Sequence, residues 1–180
     1  MRTAGVLLVW LVCGVAARAA DDIPVPVLTV CEALKSRDGL QNRTVILVGR
    51  LAFSEEGAWL LEECTDKIVT DGHEWWNSIS LSYIETPAPA PKLPEGFRWD
   101  EQELSAKLEI VRKTTGLKQE GDEWMAIFGR FETRVPLRVV RSVKNGRELA
   151  FAYGFGHLNQ SPAQLVAVRD SYHPVQLRNQ

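Results

Sequence analysis

Residues 71–77 (DGHEWWN) have the side-chain types in this sequence that could most readily bind a ligand. Trp75 and Trp76 could stack their flat faces on a sugar or a base, with His73 beside them. His73 and Glu74 could also bind a metal, but two adjacent side chains make a weak site without further ligands. The alternative is that one tryptophan closes an end of the fold and the other covers a loop. We name Trp75, Trp76 and His73 as candidate ligand-binding residues and predict no metal site.

His157 is a second candidate, because it follows the flexible aromatic run Gly154-Phe155-Gly156. A catalytic histidine needs an orienting partner and a nucleophile or water within reach, and nothing in the sequence supplies these by spacing. The sequence contains no GxSxG, HExxH, Walker A, GxGxxG or calcium-loop motif. We therefore predict no catalytic residue and no cofactor. The leading hypothesis is a non-catalytic binding or envelope-accessory module, and the alternative is a metal-assisted or histidine-dependent hydrolase that uses His73 or His157.

The first 19 residues have the pattern of a cleaved signal peptide. Arg2 is a short basic region, residues 6–12 (VLLVWLV) are apolar, and residues 17–19 (ARA) form a cleavage site. The apolar run is shorter than the roughly 20 residues that span a bilayer, which argues against the alternative of a retained anchor. A lipoprotein is a further alternative, although the residue before Cys13 is not small. We expect a secreted or periplasmic protein, in which Asn42 begins a sequon that matters only in a eukaryotic pathway.

Two cysteines, Cys31 and Cys64, remain after signal cleavage. An even pair in an exported protein favours a disulfide over metal ligation or free buried thiols, and there is no CxxC motif or paired histidine.

Charge bears on the choice of partner. The chain has 21 basic and 23 acidic residues, and loss of Arg2 and Arg18 leaves 19 against 23. A mildly acidic domain does not suit a nucleic acid backbone. We therefore expect a neutral ligand such as a glycan, a cationic ligand or a protein surface, and no membrane span after cleavage.

Hydrophobic periodicity and turn residues divide the remaining chain into short elements. Thr29 and Glu32 form a capping box for a first helix, and Gly49 interrupts a long strand in a way that is typical of a bulge or bend. Asp100 caps a second helix, and Asn145-Gly146 marks a hairpin. The expected strands cover residues 44–53, 58–62, 78–85, 123–133, 136–143, 148–155 and 163–170. A polar loop is expected at 65–77 and a proline-rich connection at 86–96.

This order of elements resembles that of small exported bacterial OB-fold-like proteins without an assigned activity. The resemblance rests on residues 31–34 (CEAL), 42–50 (NRTVILVGR), 129–130 (GR) and 164–166 (QLV). It implies a mainly β fold with two helices (α+β), namely a five-stranded Greek-key barrel with an inserted hairpin. A different small barrel or sandwich stays open, because the hairpin at 136–155 departs from a minimal OB-fold. The expected divisions are a signal peptide (1–19), an extended leader (20–28), one domain (29–170) and a loose polar tail (171–180).

Overall fold

The computed structural model describes residues 24–82, 91–115 and 123–176. The predicted signal peptide lies outside these residues, as do the first part of the leader and the last residues of the tail. The helices are α1 (Val30–Lys35), α2 (Arg37–Leu40) and α3 (Glu101–Thr115), with a 3-10 turn at His157–Asn159. The strands are β1 (Val27–Thr29), β2 (Thr44–Ser54), β3 (Gly57–Leu61), β4 (Val69–Thr70), β5 (His73–Glu74), β6 (Ser78–Ser82), β7 (Trp124–Thr133), β8 (Val139–Lys144), β9 (Arg147–Ala152) and β10 (Ala163–Pro174).

Five strands close into a barrel in the order β2-β3-β6-β10-β7, with β7 returning to β2. Strand β10 runs parallel to β6 and antiparallel to β7. Closure is possible because β2 is long enough to have two partners: Thr44–Arg50 pairs with β7, and Arg50–Ser54 pairs with β3. The prediction of an OB-fold-like five-stranded barrel is therefore confirmed. The described residues contain three α-helices rather than two, because the first helical segment divides at Ser36.

Gly49 lies next to the point where β2 changes partner. A Cβ atom there would lie 2.8 Å from Cγ2 of Val30 and 3.1 Å from Cβ of Leu60. Glycine is required because α1 and β3 both approach this position, and not because the backbone has a positive φ.

The barrel interior holds the larger core, and α1 and α2 close one end of it. Val30, Ala33, Leu34 and Leu40 join the inward side chains of the strands in this core. The predicted capping box is present: Glu32 donates its backbone N–H to Thr29 Oγ1 (3.2 Å), and Glu32 Oε2 accepts from the backbone N–H of Thr29 (2.9 Å).

A second core lies outside the barrel wall, beneath α3. Leu104 and Leu108 of the helix pack against outward side chains of β2 and β7, among them Val48 and Phe128. Strand β1 covers the edge of the same region by pairing in parallel with β2. The last residues of the expected leader are therefore part of the sheet. No helix among the described residues is long and apolar enough to cross a membrane.

Strand β10 continues to Pro174, four residues beyond the expected end of the domain at 170. Its pairing with β7 is interrupted after Ala167 and resumes at Tyr172. Ser171 is buried, and its hydroxyl donates to the carbonyl oxygens of Phe128 (2.9 Å) or Val168 (2.7 Å). Ser171, which was expected to begin a loose polar tail, thus lies in an irregular part of β10.

His173 belongs to this continued strand and not to the loose tail expected from residue 171 onward. Its ring stacks on Trp99 with the centroids 5.1 Å apart, and its Nε2 lies 2.7 Å from Glu101 Oε1.

The inserted hairpin consists of β8 and β9, which form a separate two-stranded sheet. Asn145 (φ 54°) and Gly146 (φ 74°) make the turn, as the sequence predicts. The expected loop at 65–77 contains a second small hairpin, β4–β5. The β8–β9 hairpin lies between β7 and β10 in the chain, which is the position of one of the two loops that OB-folds use to bind ligands.

Candidate functional site

Trp75 and Trp76 have different environments. Trp75 is 1% exposed and packs against Leu137 and Ala152 at the base of the β8–β9 hairpin. Its indole N–H donates to Thr70 Oγ1 (3.1 Å). Trp76 is 48% exposed. Of the two tryptophans, only Trp76 offers a surface to a ligand, and Trp75 is a packing residue, as in the alternative considered above.

His73 belongs to the packing around Trp75. The two rings meet edge to face with centroids 5.1 Å apart. Nε2 of His73 is buried, and no described residue forms a hydrogen bond with it. The neighbouring Glu74 forms an ion pair with Lys67 at 2.9 Å. Within the described parts of the chain, no group of three or more His, Cys, Asp or Glu residues could hold a metal ion.

Residues 154–161, here called the strap, lie over the outer face of β3 and β6. A Cβ atom on Gly156 would lie 2.9 Å from Ser80 Oγ and 3.0 Å from Nε1 of Trp59. Trp59 is buried, and its indole N–H has no hydrogen-bond partner among the residues that the structure describes. OB-folds bind ligands on the face of their second and third strands. In this protein the strap occupies that face.

His157 helps to hold the strap in place. Its Nε2 lies 3.2 Å from Glu56 Oε1 in the turn between β2 and β3. Farther along, the hydroxyls of Ser161 and Ser78 share a buried hydrogen bond of 2.8 Å. His73 and His157 thus have separate partners, and the structure does not combine them into one site.

Cys31 and Cys64 form the predicted disulfide, with their Cα atoms 5.5 Å apart. It joins α1 to the segment that follows β3, beside a cavity of about 490 Å³. Glu62 also lines this cavity, and its Oε2 accepts a hydrogen bond from the backbone N–H of Cys31 (2.8 Å). Burial raises the pKa of the Glu62 carboxyl above its ordinary value, and hydrogen bonds from Cys31 and Thr29 oppose the rise only in part.

The β8–β9 hairpin, here called the arm (residues 138–153), has two different faces because side chains alternate along each strand. The inner face begins with Val139 and Ala152, which pack around Trp75. Farther out, Arg141 pairs with Glu148 at 2.7 Å and donates a hydrogen bond to the carbonyl oxygen of Asp71.

The outer face of the arm has no covering element among the described residues. Strand pairing places Val140 opposite Phe151, Ser142 opposite Leu149 and Lys144 opposite Arg147. Tyr153 donates its backbone N–H to the carbonyl of Arg138 and extends the same face at the base. The large side chains of this face are between 37% and 51% exposed: Val140, Leu149, Phe151 and Tyr153.

Exposed apolar side chains are concentrated in the arm and in the segments beside it. Of the eleven large hydrophobic residues that are exposed in the described chain, seven lie between Val135 and Leu158. A hollow of about 550 Å³ at the base of the arm is lined by Arg134, Val135, Pro136, Arg138, Val140 and Tyr153. From the sequence alone, this hairpin was expected only as a departure from a minimal OB-fold. Its alternation of basic and apolar residues (RVVRSVKNGRELAFAY) is the signal that could have identified a surface.

The arm and the segment that leads into it are also basic. Residues 134–153 contain five basic residues and one acidic residue, whereas the rest of the 180-residue chain contains sixteen basic and twenty-two acidic residues. The chain therefore combines a segment of net charge +4 with a remainder of net charge −6.

No family model, curated protein or solved structure matches this chain. Its function is therefore inferred from its own residues.

Proposed function

We propose that this protein is an exported, non-catalytic binding module of the cell envelope that contacts its partner through the outer face of the arm. The observation that carries the proposal is the uncovered row of Val140, Leu149, Phe151 and Tyr153, flanked by cationic side chains. Exposed apolar clusters of this kind are typical of interaction surfaces. Export is supported by the signal-like pattern of residues 1–19 and by the disulfide, which is typical of oxidising compartments.

Binding is favoured over catalysis by the surroundings of the two candidate histidines. A hydrolase would need His73 or His157 beside a nucleophile, an activated water or a metal. His73 instead packs on Trp75, and His157 pairs with Glu56 and fastens the strap. These contacts support structural roles for both residues.

The arm is favoured over the usual OB-fold ligand face because the strap covers that face. The buried Trp59 and the shared hydrogen bond of Ser78 and Ser161 lie beneath or within this cover. A ligand would have to displace the strap before it could contact β3 and β6. The arm offers its surface without any rearrangement.

The local charge of the arm favours an anionic partner. The net charge of the whole chain led to the expectation of a neutral or cationic ligand or a protein surface. Charges within about 8 to 10 Å dominate an interaction at physiological salt, so the +4 charge of residues 134–153 matters more than the total.

The proposal can be tested by sedimenting the protein with the isolated envelope fraction of its own cells. The native protein should sediment with this fraction, and N-terminal sequencing should show that it begins near Ala20. Val140→Thr combined with Phe151→Thr should leave most of it in the supernatant, because threonine keeps the strand but removes apolar surface. Phe53→Thr, which alters an aromatic on β2 that is even more exposed than Phe151, should sediment like the native protein.

Equal sedimentation of all three proteins, or of none, would contradict the role of the arm. Recovery of an intact Met1 from the cytosol would contradict export.

A further inference from the structure

We propose that the partner of the arm is a lipid bilayer with anionic headgroups, an inference that rests on the proposed function of the outer face. Along this face the side chains change in kind from base to tip. Arg138 and Tyr153 lie at the base, the apolar side chains of Val140, Phe151 and Leu149 occupy the middle, and Lys144 and Arg147 lie beside the turn. An apolar centre with cations at both ends is the pattern of a segment that lies flat in the membrane interface.

Each part of this pattern matches a layer of the interface. Val140, Leu149 and Phe151 can enter the boundary between headgroups and acyl chains. Tyr153 can keep its hydroxyl in the hydrated headgroup region. The long stems of Lys144 and Arg147 can lie on apolar surface while their charges reach lipid phosphates. With strands of six residues, the arm is about 20 Å long, enough to lie along the interface.

The charges of the molecule orient this face toward an anionic surface. On the inner face Arg141 and Glu148 neutralise each other, so the unbalanced cations of the two strands lie on the outer face. After signal cleavage the remainder of the chain has fourteen basic and twenty-two acidic residues, a net charge of −8, and is repelled by anionic lipid. The molecule is thus expected to approach the bilayer with the arm first.

Aliphatic residues on the face argue for lipid over a soluble polyanion. An anionic glycan or a nucleic acid can stack on Phe151 and Tyr153, but it offers little apolar surface to cover Val140 and Leu149. An acyl-chain boundary covers aliphatic and aromatic side chains alike. The bilayer therefore accounts for the whole composition of the face.

Cosedimentation of the purified protein with lipid vesicles tests this inference. One set of vesicles consists of phosphatidylcholine alone and the other also contains phosphatidylglycerol, and soluble polyphosphate is a third probe. We expect binding to the mixed vesicles that is at least about tenfold tighter than binding to phosphatidylcholine, and that weakens as salt is added. We expect polyphosphate to bind more weakly than the mixed vesicles.

Two variants with matched controls locate the contact. Lys144→Glu with Arg147→Glu should weaken binding to the mixed vesicles more than about tenfold, since each cation near an anionic surface contributes roughly fivefold. Lys92→Glu with Arg98→Glu changes the net charge equally at exposed positions away from the arm and should weaken it far less. Val140→Thr with Phe151→Thr should also weaken binding about tenfold, whereas Phe53→Thr should not.

Hydrogen exchange on the unaltered protein provides a second measurement that does not depend on the folding of a variant. Mixed vesicles should slow exchange of the amides in β8 and β9 and leave those of β3 and β6 unchanged. Protection confined to β3, β6 or the strap would overturn the inference, as would the absence of vesicle binding. Tighter binding to polyphosphate than to vesicles would overturn it in favour of a soluble polyanion. If the protein does not bind vesicles but its sedimentation with the envelope fraction still depends on Val140 and Phe151, the lipid inference is wrong and the proposed function stands.

Discussion

Glu62 shows how a single buried carboxyl makes stability depend on pH. Burial disfavours its charged form, so its pKa in the folded protein is raised above the ordinary value of a glutamate. The folded protein therefore binds this proton more tightly than the unfolded chain. The stability that results is complete below the ordinary pKa of a glutamate and is lost as the pH rises through the raised value.

Glu62→Gln should remove this component of the pH dependence. Glutamine can still accept the N–H of Cys31 and carries no charge, so we expect the variant to be at least as stable as the native protein at neutral pH. We measure the free energy of unfolding with urea from acid to neutral pH. Over this range it should fall by on the order of 1 kcal/mol less in the variant than in the native protein. Glu63→Gln, at the exposed neighbouring position, is the control and should keep the native slope. An unchanged slope in Glu62→Gln would refute this account.

The adjacent tryptophans should differ sharply in their effect on stability. Trp75→Ala removes a ring that is 1% exposed and packed under the arm, so we expect a loss of about 3–5 kcal/mol in the free energy of unfolding. Trp76→Ala removes a half-exposed ring and should cost less than about 1 kcal/mol. Chemical denaturation of both variants makes the comparison. Equal losses would show that the two rings are not distinguished by burial.

At the scale of the element, β2 depends on a glycine where it passes beneath α1. Gly49→Val would place side-chain atoms against Val30 and Leu60, and we expect a loss of about 1–3 kcal/mol or more. Gly39→Ala in α2 is a matched control, since a Cβ atom there has no neighbour within 4 Å. Melting temperatures of the two variants provide the measurement. If Gly49→Val melts with the native protein, close packing does not explain the glycine.

At the scale of the whole molecule, the barrel and the arm have separate tasks. The two larger cores lie inside the barrel and between its wall and α3, whereas the arm contributes only its base to a third, small cluster around Trp75. A stable barrel can therefore present an arm whose exposed side chains add little to its own stability. This division is consistent with a scaffold that carries a binding element.

Replacing residues 143–148 with Asn-Gly should shorten the arm without unfolding the protein. Ser142 and Leu149 form the same kind of hydrogen-bonded pair as Lys144 and Arg147, so a two-residue turn can join them directly. Since the removed side chains are exposed, we expect the melting temperature to change by only a few degrees. Calorimetry measures the change. A large decrease would mean that the outer part of the arm supports the barrel.

The sequence by itself determined the features that depend on neighbouring residues. The capping box of Thr29, the turn at Asn145-Gly146 and the strand around Gly49 follow from short-range patterns that hold in most contexts. The order of strands and helices along the chain predicted the barrel, because few topologies accommodate it. Because the predicted signal cleavage removes Cys13, Cys31 and Cys64 could form a disulfide within the chain only with each other.

Only the tertiary structure decided which of these residues face solvent. Trp75 and Trp76 are adjacent and identical in type, yet one lies beneath the arm and the other is exposed. The strap covers the β3–β6 face through contacts between residues far apart in the chain, such as Ser78 and Ser161. The outer face of the arm is uncovered because no other described element packs there. Burial depends on long-range packing, whereas local sequence patterns record only neighbours along the chain, so the candidate site emerged only with the fold.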